Sequence, residues 1–195
     1  SPLRDVYKRQ AIAEIQKLAD KKLNKFKQNQ EATIEEKQSA VNELEQALKS
    51  AINHIHQSQN NESVSAALKE SISLIDSIEI QAHKKLEAKA YIDGYSDDRI
   101  NDISSRATNE EKQIFVSKLK ALINRAHKQI DEAETIVSVD TIVRNFKVEV
   151  DKLNSIVRKK AKALKEIKLE ADHVKQMINA NLSASTRVKQ NAHTL

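Results

Sequence analysis

A six-residue motif occurs twice in this chain and limits what the chain can fold into. "TIEEKQ" at residues 33–38 returns as "TNEEKQ" at residues 108–113, an offset of 75 residues. Apolar positions keep this offset: Val41, Leu44, Leu48, Ala51 and Ile55 align with Val116, Leu119, Ile123, Ala126 and Ile130. A period of this length is too long for the common helix-pair solenoids and suits three helices per unit. The sequence therefore predicts a tandem array.

A third copy of the unit begins near the end of the chain. "AIAEIQKLAD" at residues 11–20 returns as "ALKEIKLEAD" at residues 163–172, and "KQSA" at 37–40 returns as "KQNA" at 189–192. We predict a first repeat at 11–80, a second at 81–158 and the truncated start of a third at 159–195. The opening "SPLRDVYKRQ" fits none of these patterns and holds the only Pro. Residues 1–10 are therefore predicted to be a non-native tail and are excluded from the fold prediction.

The composition favours helices and narrow cores. The chain has one Gly, one Pro and no Cys, with 3% aromatic and 31% charged residues. Few helix breakers indicate an all-α chain, and scarce aromatics indicate thin bundles rather than a large enzyme core. No stretch approaches the roughly 20 apolar residues of a membrane span, so no membrane insertion is predicted.

The repeated motif has the pattern of a helix start. Thr33 is followed three residues later by Glu36, and Thr108 is followed by Glu111. In such a capping box the Thr side chain accepts from the Glu backbone N–H, and the Glu side chain accepts from the Thr N–H. The motif thus predicts where the second helix of each unit restarts.

The apolar stripe that starts at Val139 runs without Gly or Pro to Leu182. This predicts one long helix that ends one bundle and begins the next. A kink or break is expected at the earlier junction, around Gly94–Asp98. The predicted fold class is all-α: tandem three-helix bundles that share long connecting helices, a spectrin-like rod. A single long coiled coil is the competing architecture, and the capped restarts argue against it.

Residue patterns for catalysis or metal binding are missing from the sequence. His54 and His56 are two apart and point to different helix faces, whereas His127 and Asp131 have the spacing of a surface pair. One Gly leaves no phosphate-binding loop, and no nucleophile motif occurs. We predict no enzyme, no cofactor and no metal site.

One basic stretch, "VRKKAKALKEIK", is a possible contact for an acidic polymer such as nucleic acid, a teichoic-acid-like wall polymer or glycosaminoglycan. Its cations are Arg158, Lys159, Lys160, Lys162, Lys165 and Lys168. The alternative is a solvated face beside the apolar stripe, which the missing interleaved aromatics favour. The tail contributes +2 of the net +5, so the remaining charge is too small to indicate a specific nucleic-acid partner.

The order of "A-x-x-E-I-x-x-x-A-D", "T-x-E-E-K-Q" and "V-x-x-A-L" resembles the tandem helical repeat domain of staphylococcal cell-wall-anchored surface proteins of the FmtB/Mrp, SasC and Ebh types. The third copy departs from it, with "STRVKQ" in place of the EEK motif. The resemblance implies an extracellular, non-catalytic structural and adhesive spacer at the cell wall of a Gram-positive bacterium. It also implies roles in adhesion, aggregation or biofilm, and for the FmtB type in methicillin resistance.

The partners implied are adjacent repeats of the same chain and a host matrix protein or an acidic cell-wall polymer. An alternative function remains open: an intracellular helical scaffold that binds partner helices or an acidic polymer through the basic stretch. A signal peptide and a sorting motif in the flanking sequence would distinguish the first function from the second.

Overall fold

A computed structural model describes residues 1–194, without the side chains of Ala161 and of residues 188–194. It contains six helices and, in the residues described, no strand. The helices are α1 (Pro2–Gln28), α2 (Ile34–Gln57), α3 (Asn61–Ser77), α4 (Lys84–Ser104), α5 (Asn109–Glu132) and α6 (Ile136–Thr194). The prediction of an all-α chain of packed helical repeats is confirmed.

The first ten residues, which the fold prediction excluded, form the start of α1. Ser1 is the N-cap of α1 and Pro2 occupies its first turn, the place where a Pro fits a helix best. Lys8 Nζ donates to the carbonyl oxygen of His56, 2.7 Å away on α2. The helix that we expected to begin near Ala11 therefore begins nine residues earlier. The non-native origin of this segment stays a prediction.

The chain forms two compact units. Unit 1 comprises Ser1–Asp93 and Asn124–Phe146, and unit 2 comprises Gly94–Ile123 and the chain from Lys147 onward. In unit 1, helices α1, α2 and α3 pack against one another along stripes spaced three and four residues apart. The buried members are Ala11, Ile15, Ala19, Phe26, Ala40, Leu44, Ala51, Ile55, Val64, Ala67 and Ile75. Most are Ala, Ile or Val, in agreement with the thin core predicted from composition.

The helical break after α3 lies at residues 78–83, whereas we expected a kink or break around Gly94–Asp98. Helix α4 runs through Gly94 without interruption, because a single helical Gly costs only about 1 kcal/mol. Side chains of α1 and α2 bind the backbone at both ends of this break. Lys22 Nζ donates to the carbonyl oxygen of Ile78, 2.5 Å away, and the next helix is capped by Glu36, as described below.

Helix α6 is continuous over 59 residues, which confirms the long helix predicted from the stripe after Val139. The burial of this stripe changes along the helix. Val139 and Val150 are fully buried, each within its own unit, whereas Ile167 is 62% and Ile178 is 54% exposed. No helix in the described part of the chain is long and apolar enough to span a membrane.

Candidate functional site

Among the described residues, no three His, Asp or Glu side chains come together in a way that could hold a metal ion. The predicted pair of His127 with Asp131 is wrong. His127 Nε2 lies 2.8 Å from Asp93 Oδ1 on α4, and Asp131 pairs with Lys89. The i, i+4 spacing was suitable, but a neighbouring helix supplies a partner for each residue. Both contacts lie at the protein surface, where such pairs contribute little to stability.

Of the six cations in the basic stretch on α6, Arg158 pairs with a residue of the fold and the five lysines are exposed to solvent. Arg158 forms an ion pair with Asp102, whose carboxylate also accepts from Asn154 Nδ2 at 3.4 Å. The hydrogen bond from Arg158, helped by Asn154 and opposed by slight desolvation, lowers the pKa of Asp102. The exposed members are Lys159, Lys160, Lys162, Lys165 and Lys168. Arg158 thus serves the fold of unit 2, and only the lysines are available to a partner.

The first capping motif has both of its hydrogen bonds. Thr33 is fully buried, and its Oγ1 accepts from the Glu36 backbone N–H at 3.3 Å. Glu36 Oε1 accepts in return from the Thr33 N–H and from the Thr33 hydroxyl, each at 3.0 Å. The preceding loop is shaped by Asn29, whose Oδ1 accepts from the N–H groups of Glu31 and Ala32 at 2.8 and 3.0 Å. These contacts turn the chain from α1 into α2.

The second oxygen of Glu36 binds a different helix. Glu36 Oε2 accepts from the backbone N–H groups of His83 and Lys84, at 2.8 and 3.2 Å, where α4 begins. One carboxylate thereby satisfies free N–H groups at the starts of both α2 and α4. Its negative charge also faces the positive end of both helix dipoles.

The pKa of Glu36 is lowered by these contacts. Partial burial is the largest single influence and raises the pKa, but it is outweighed by the hydrogen bonds from the backbone N–H groups of Thr33, His83 and Lys84 and from the Thr33 hydroxyl. Each of these donors favours the charged carboxylate. Glu36 is therefore ionised over the neutral range and binds α4 as an anion.

Glu35 makes the corresponding contact to α6. Its Oε2 accepts from the backbone N–H of Ile136 at 3.0 Å, in the first turn of α6. Beside it, the N–H of Ile34 donates to the carbonyl oxygen of Glu134 at 2.8 Å. Adjacent acidic residues of one motif thus hold the starts of three helices, α2, α4 and α6, all within unit 1.

A buried lysine binds the carboxyl-terminal ends of two other helices, α1 and α5. Lys85 is 6% exposed, and its Nζ donates to the carbonyl oxygens of Gln30 and Asp131 at 3.2 and 2.9 Å. Gln30 follows the end of α1, and Asp131 lies in the last turn of α5, where carbonyl groups lack helical partners. We call Glu35, Glu36 and Lys85 the junction cluster. The acids bind helix starts and the lysine binds helix ends, as the helix dipole favours.

Lys85 was not predicted from the sequence, although one signal pointed to it. It stands in the first turn of α4, where a cation opposes the helix dipole, and Lys84 beside it does the same. Such a violation of local preference indicates a tertiary partner. Lys84 has one as well, since its Nζ lies 2.5 Å from Asp140 Oδ1 on α6.

The second copy of the motif lacks the contact to a further helix. The Glu111 N–H donates to Thr108 Oγ1 at 3.2 Å, so this helix start resembles the first. Glu111 Oε2, however, is buried without a hydrogen-bond partner. The positions that correspond to His83 and Lys84 are Arg158 and Lys159, inside α6, where backbone N–H groups bond within the helix.

Two copies of a helical unit, joined by side chains that bind main-chain groups of the next copy, define a tandem helical-repeat protein. The family DUF1542, a Domain of Unknown Function, matches residues 7–83 and again residues 84–157. The chain belongs to this family. No curated protein and no solved structure matches the chain. The two family matches meet between His83 and Lys84, the residues whose N–H groups donate to Glu36.

Proposed function

We propose that this chain is a non-catalytic spacer: a structural repeat region that carries other parts of a bacterial surface protein. The observation that carries the proposal is the junction cluster. Its side chains bind backbone N–H and C=O groups at helix ends, so the junction does not depend on the identity of the exposed side chains around it. A unit joined in this way can keep its junction while its exposed residues vary, which suits a stalk better than a binding pocket.

The family supports the same proposal. DUF1542 is a repeat domain that occurs in bacterial surface proteins, for example in Staphylococcus. We propose an extracellular location at the cell wall of a Gram-positive bacterium, as the resemblance to the FmtB/Mrp, SasC and Ebh types implies. Adhesion, aggregation, biofilm formation and methicillin resistance are then proposed as roles of the whole protein, to which this region contributes reach.

A domain exchange in the producing bacterium tests the proposal. Residues 7–157 are replaced by two unrelated three-helix units, and aggregation and attachment to immobilised matrix protein are measured, with display on intact cells checked by antibody. A spacer is replaceable, so the exchanged protein should retain both activities, whereas removing the region without replacement should reduce them. Loss of attachment in the displayed, exchanged protein would show that these repeats bind a ligand themselves.

A second candidate function rests on the five exposed lysines of α6. We propose that they contact an acidic wall polymer, with teichoic acid as the probe. The variant K162Q/K165Q/K168Q should bind it about tenfold more weakly, since exposed ion pairs contribute about 0.2–1 kcal/mol each. The control K17Q/K21Q/K25Q removes the same charge from exposed positions of α1. Equal losses in the two variants would mean that net charge alone, and no site, attracts the polymer.

A further inference from the structure

The part of α6 beyond residue 158 repeats the sequence of α1 at an offset of 152 residues. Apolar positions of α1 correspond to apolar positions of α6: Ala11 to Ala163, Ile15 to Ile167, Ala19 to Ala171 and Phe26 to Ile178. The family match ends at residue 157, so nothing in that comparison assigns this segment.

The correspondence continues into the loop that follows α1. Asn29, Ala32 and Thr33 correspond to Asn181, Ala184 and Ser185. In the first repeat, Asn29 accepts from two backbone N–H groups of the loop, Ala32 is buried, and Thr33 caps α2. Asn and Ser suit these two roles as well, because both accept backbone hydrogen bonds in turns and at helix N-caps. Residues 181–185 thus have the sequence of a turn, although they lie within α6.

The two copies of the stripe differ in how far their side chains are buried. In α1 the stripe is covered by α2 and α3, and Ile15 and Phe26 are 0% and 5% exposed. Their counterparts Ile167 and Ile178 are more than half exposed. The stripe of α6 continues through Leu164, Ala171 and Val174, all of them exposed. The two helices have the same pattern, but only one has its partners.

We propose that residues 159–180 are the first helix of a third repeat, and that residues 181–185 are the turn into its second helix. Helices of the α2 and α3 pattern, formed by the same chain, then cover the exposed stripe. The chain itself supports this occupant, because "KQNA" at 189–192 has the sequence and the spacing of "KQSA" near the start of α2. Burying the apolar stripe outweighs the few helical hydrogen bonds that are lost at the turn.

The flanks of the stripe favour helices over a lipid surface. The apolar residues follow spacings of three, four, three and four from Leu164 to Ile178, the narrow seam of helix–helix packing. Charges of both signs border it: Lys165, Lys168 and Lys175 lie beside Glu166, Glu170 and Asp172. Mixed charges of this kind are typical of the flanks of a helical bundle, whereas a helix that lies on an anionic membrane has a wide apolar face and a mainly basic polar face.

The experiment completes the third repeat and measures the helix that is now exposed. Leu195 corresponds to Glu43, so the chain is extended after Leu195 by a copy of residues 44–83. Amide hydrogen exchange of residues 164–178 is compared in the original and extended chains. We expect at least about hundredfold slower exchange in the extended chain, because buried helices open far less often than exposed ones. Unchanged exchange would overturn the proposal.

Two matched variants of the extended chain test the turn. Ser185→Ala removes the proposed N-cap and should lower the folding equilibrium constant of the third repeat about fivefold, the effect of losing a typical cap. Ser183→Ala, at a loop position that supplies only its backbone, should leave it unchanged. If the chain stays helical through residue 185, Ala should favour folding equally at both positions, since Ala is the better helix former. That result would refute the turn.

Sedimentation of the extended chain tests the source of the covering helices. A monomer with protected residues 164–178 is the expected result, since the helices come from the same chain. Protection that disappears on dilution, together with a dimer, would assign the stripe to a second copy and overturn the proposal.

Discussion

Replacing Glu36 by Gln keeps the shape of the side chain and removes one of its two acceptor oxygens. The carboxylate accepts from Thr33 through Oε1 and from His83 and Lys84 through Oε2. Gln has a single acceptor oxygen, and its NH₂ group would point at backbone N–H groups that also donate. Whichever way the amide is turned, one helix start loses its acceptor.

The cost follows from the bonds that are lost. Two donors lose a charged acceptor, and hydrogen bonds to charged groups contribute about 1.5–3 kcal/mol each. Glu36 is only partly buried, so water replaces part of this contribution. We expect Glu36→Gln to lower the free energy of unfolding by about 2 kcal/mol. For a chain of this size that corresponds to a fall in Tm of about 4–8 °C.

The assay is urea unfolding followed by circular dichroism, with Glu43→Gln as the control. Glu43 lies on the same helix and is exposed, so the control makes the same chemical change without the junction contacts. We expect the control to change stability by less than about 0.5 kcal/mol. Equal unfolding midpoints for the two variants would refute the claim that Glu36 holds α4.

The pH dependence gives a second test. Because folding lowers the pKa of Glu36 below its ordinary value of 4.5, its contribution is present above that pH and is lost as pH falls through the folded-state pKa. The stability difference between Glu36→Gln and the unmodified chain should therefore shrink as the pH is lowered below about 4.5. A difference that stays constant down to pH 3 would mean that the ionised carboxylate is not what matters.

Three further predictions concern other positions. Glu111→Gln should cost less than half as much in the same urea assay, because its Oε2 has no hydrogen-bond partner to lose. Lys85→Met should cost about 2 kcal/mol by leaving two carbonyl groups unpaired, whereas Lys89→Met breaks an exposed ion pair and should cost less than about 1 kcal/mol; equal losses would contradict the role of Lys85. Gly94→Ala should stabilise the protein by about 0.5–1 kcal/mol and raise its Tm, because Ala is the better helix former and the added Cβ meets nothing within 4 Å. A lower Tm would contradict this.

The local part of the fold could be predicted from the sequence, because local physics determines it. The T-x-x-E spacing places a helix start at Thr33, and the uninterrupted apolar stripe after Val139 predicts the long α6. The break at residues 78–83 could not be predicted in this way. That segment, "IEIQAH", contains neither Gly nor Pro, and it is held open by Lys22 and Glu36, which are far away in sequence.

Of the candidate site, the sequence predicts the capping residues and not their second partners. The capping-box pattern predicts the hydrogen-bond partner of one oxygen of Glu36 but not of the other. The partners of that second oxygen, at the start of α4, are known only from the packing of α4 against the start of α2. The same limit explains the error at His127, where spacing along one helix could not reveal Asp93 on another. At the amino terminus a local signal is present, since Ser-Pro is a good helix start, but the segment lies outside the repeated pattern from which the fold was predicted.

The long sequence separations in the junction cluster set an order in time. Glu36 precedes His83 by 47 residues, and Glu35 precedes Ile136 by 101. A ribosome adds about 5–20 residues per second, so the carboxylate of Glu36 is made roughly 2–10 s before α4 and that of Glu35 roughly 5–20 s before α6. Helical bundles fold in microseconds to milliseconds, so α1, α2 and α3 can close long before then. During synthesis the first repeat can therefore fold before the helices that contact Glu35 and Glu36 have been made.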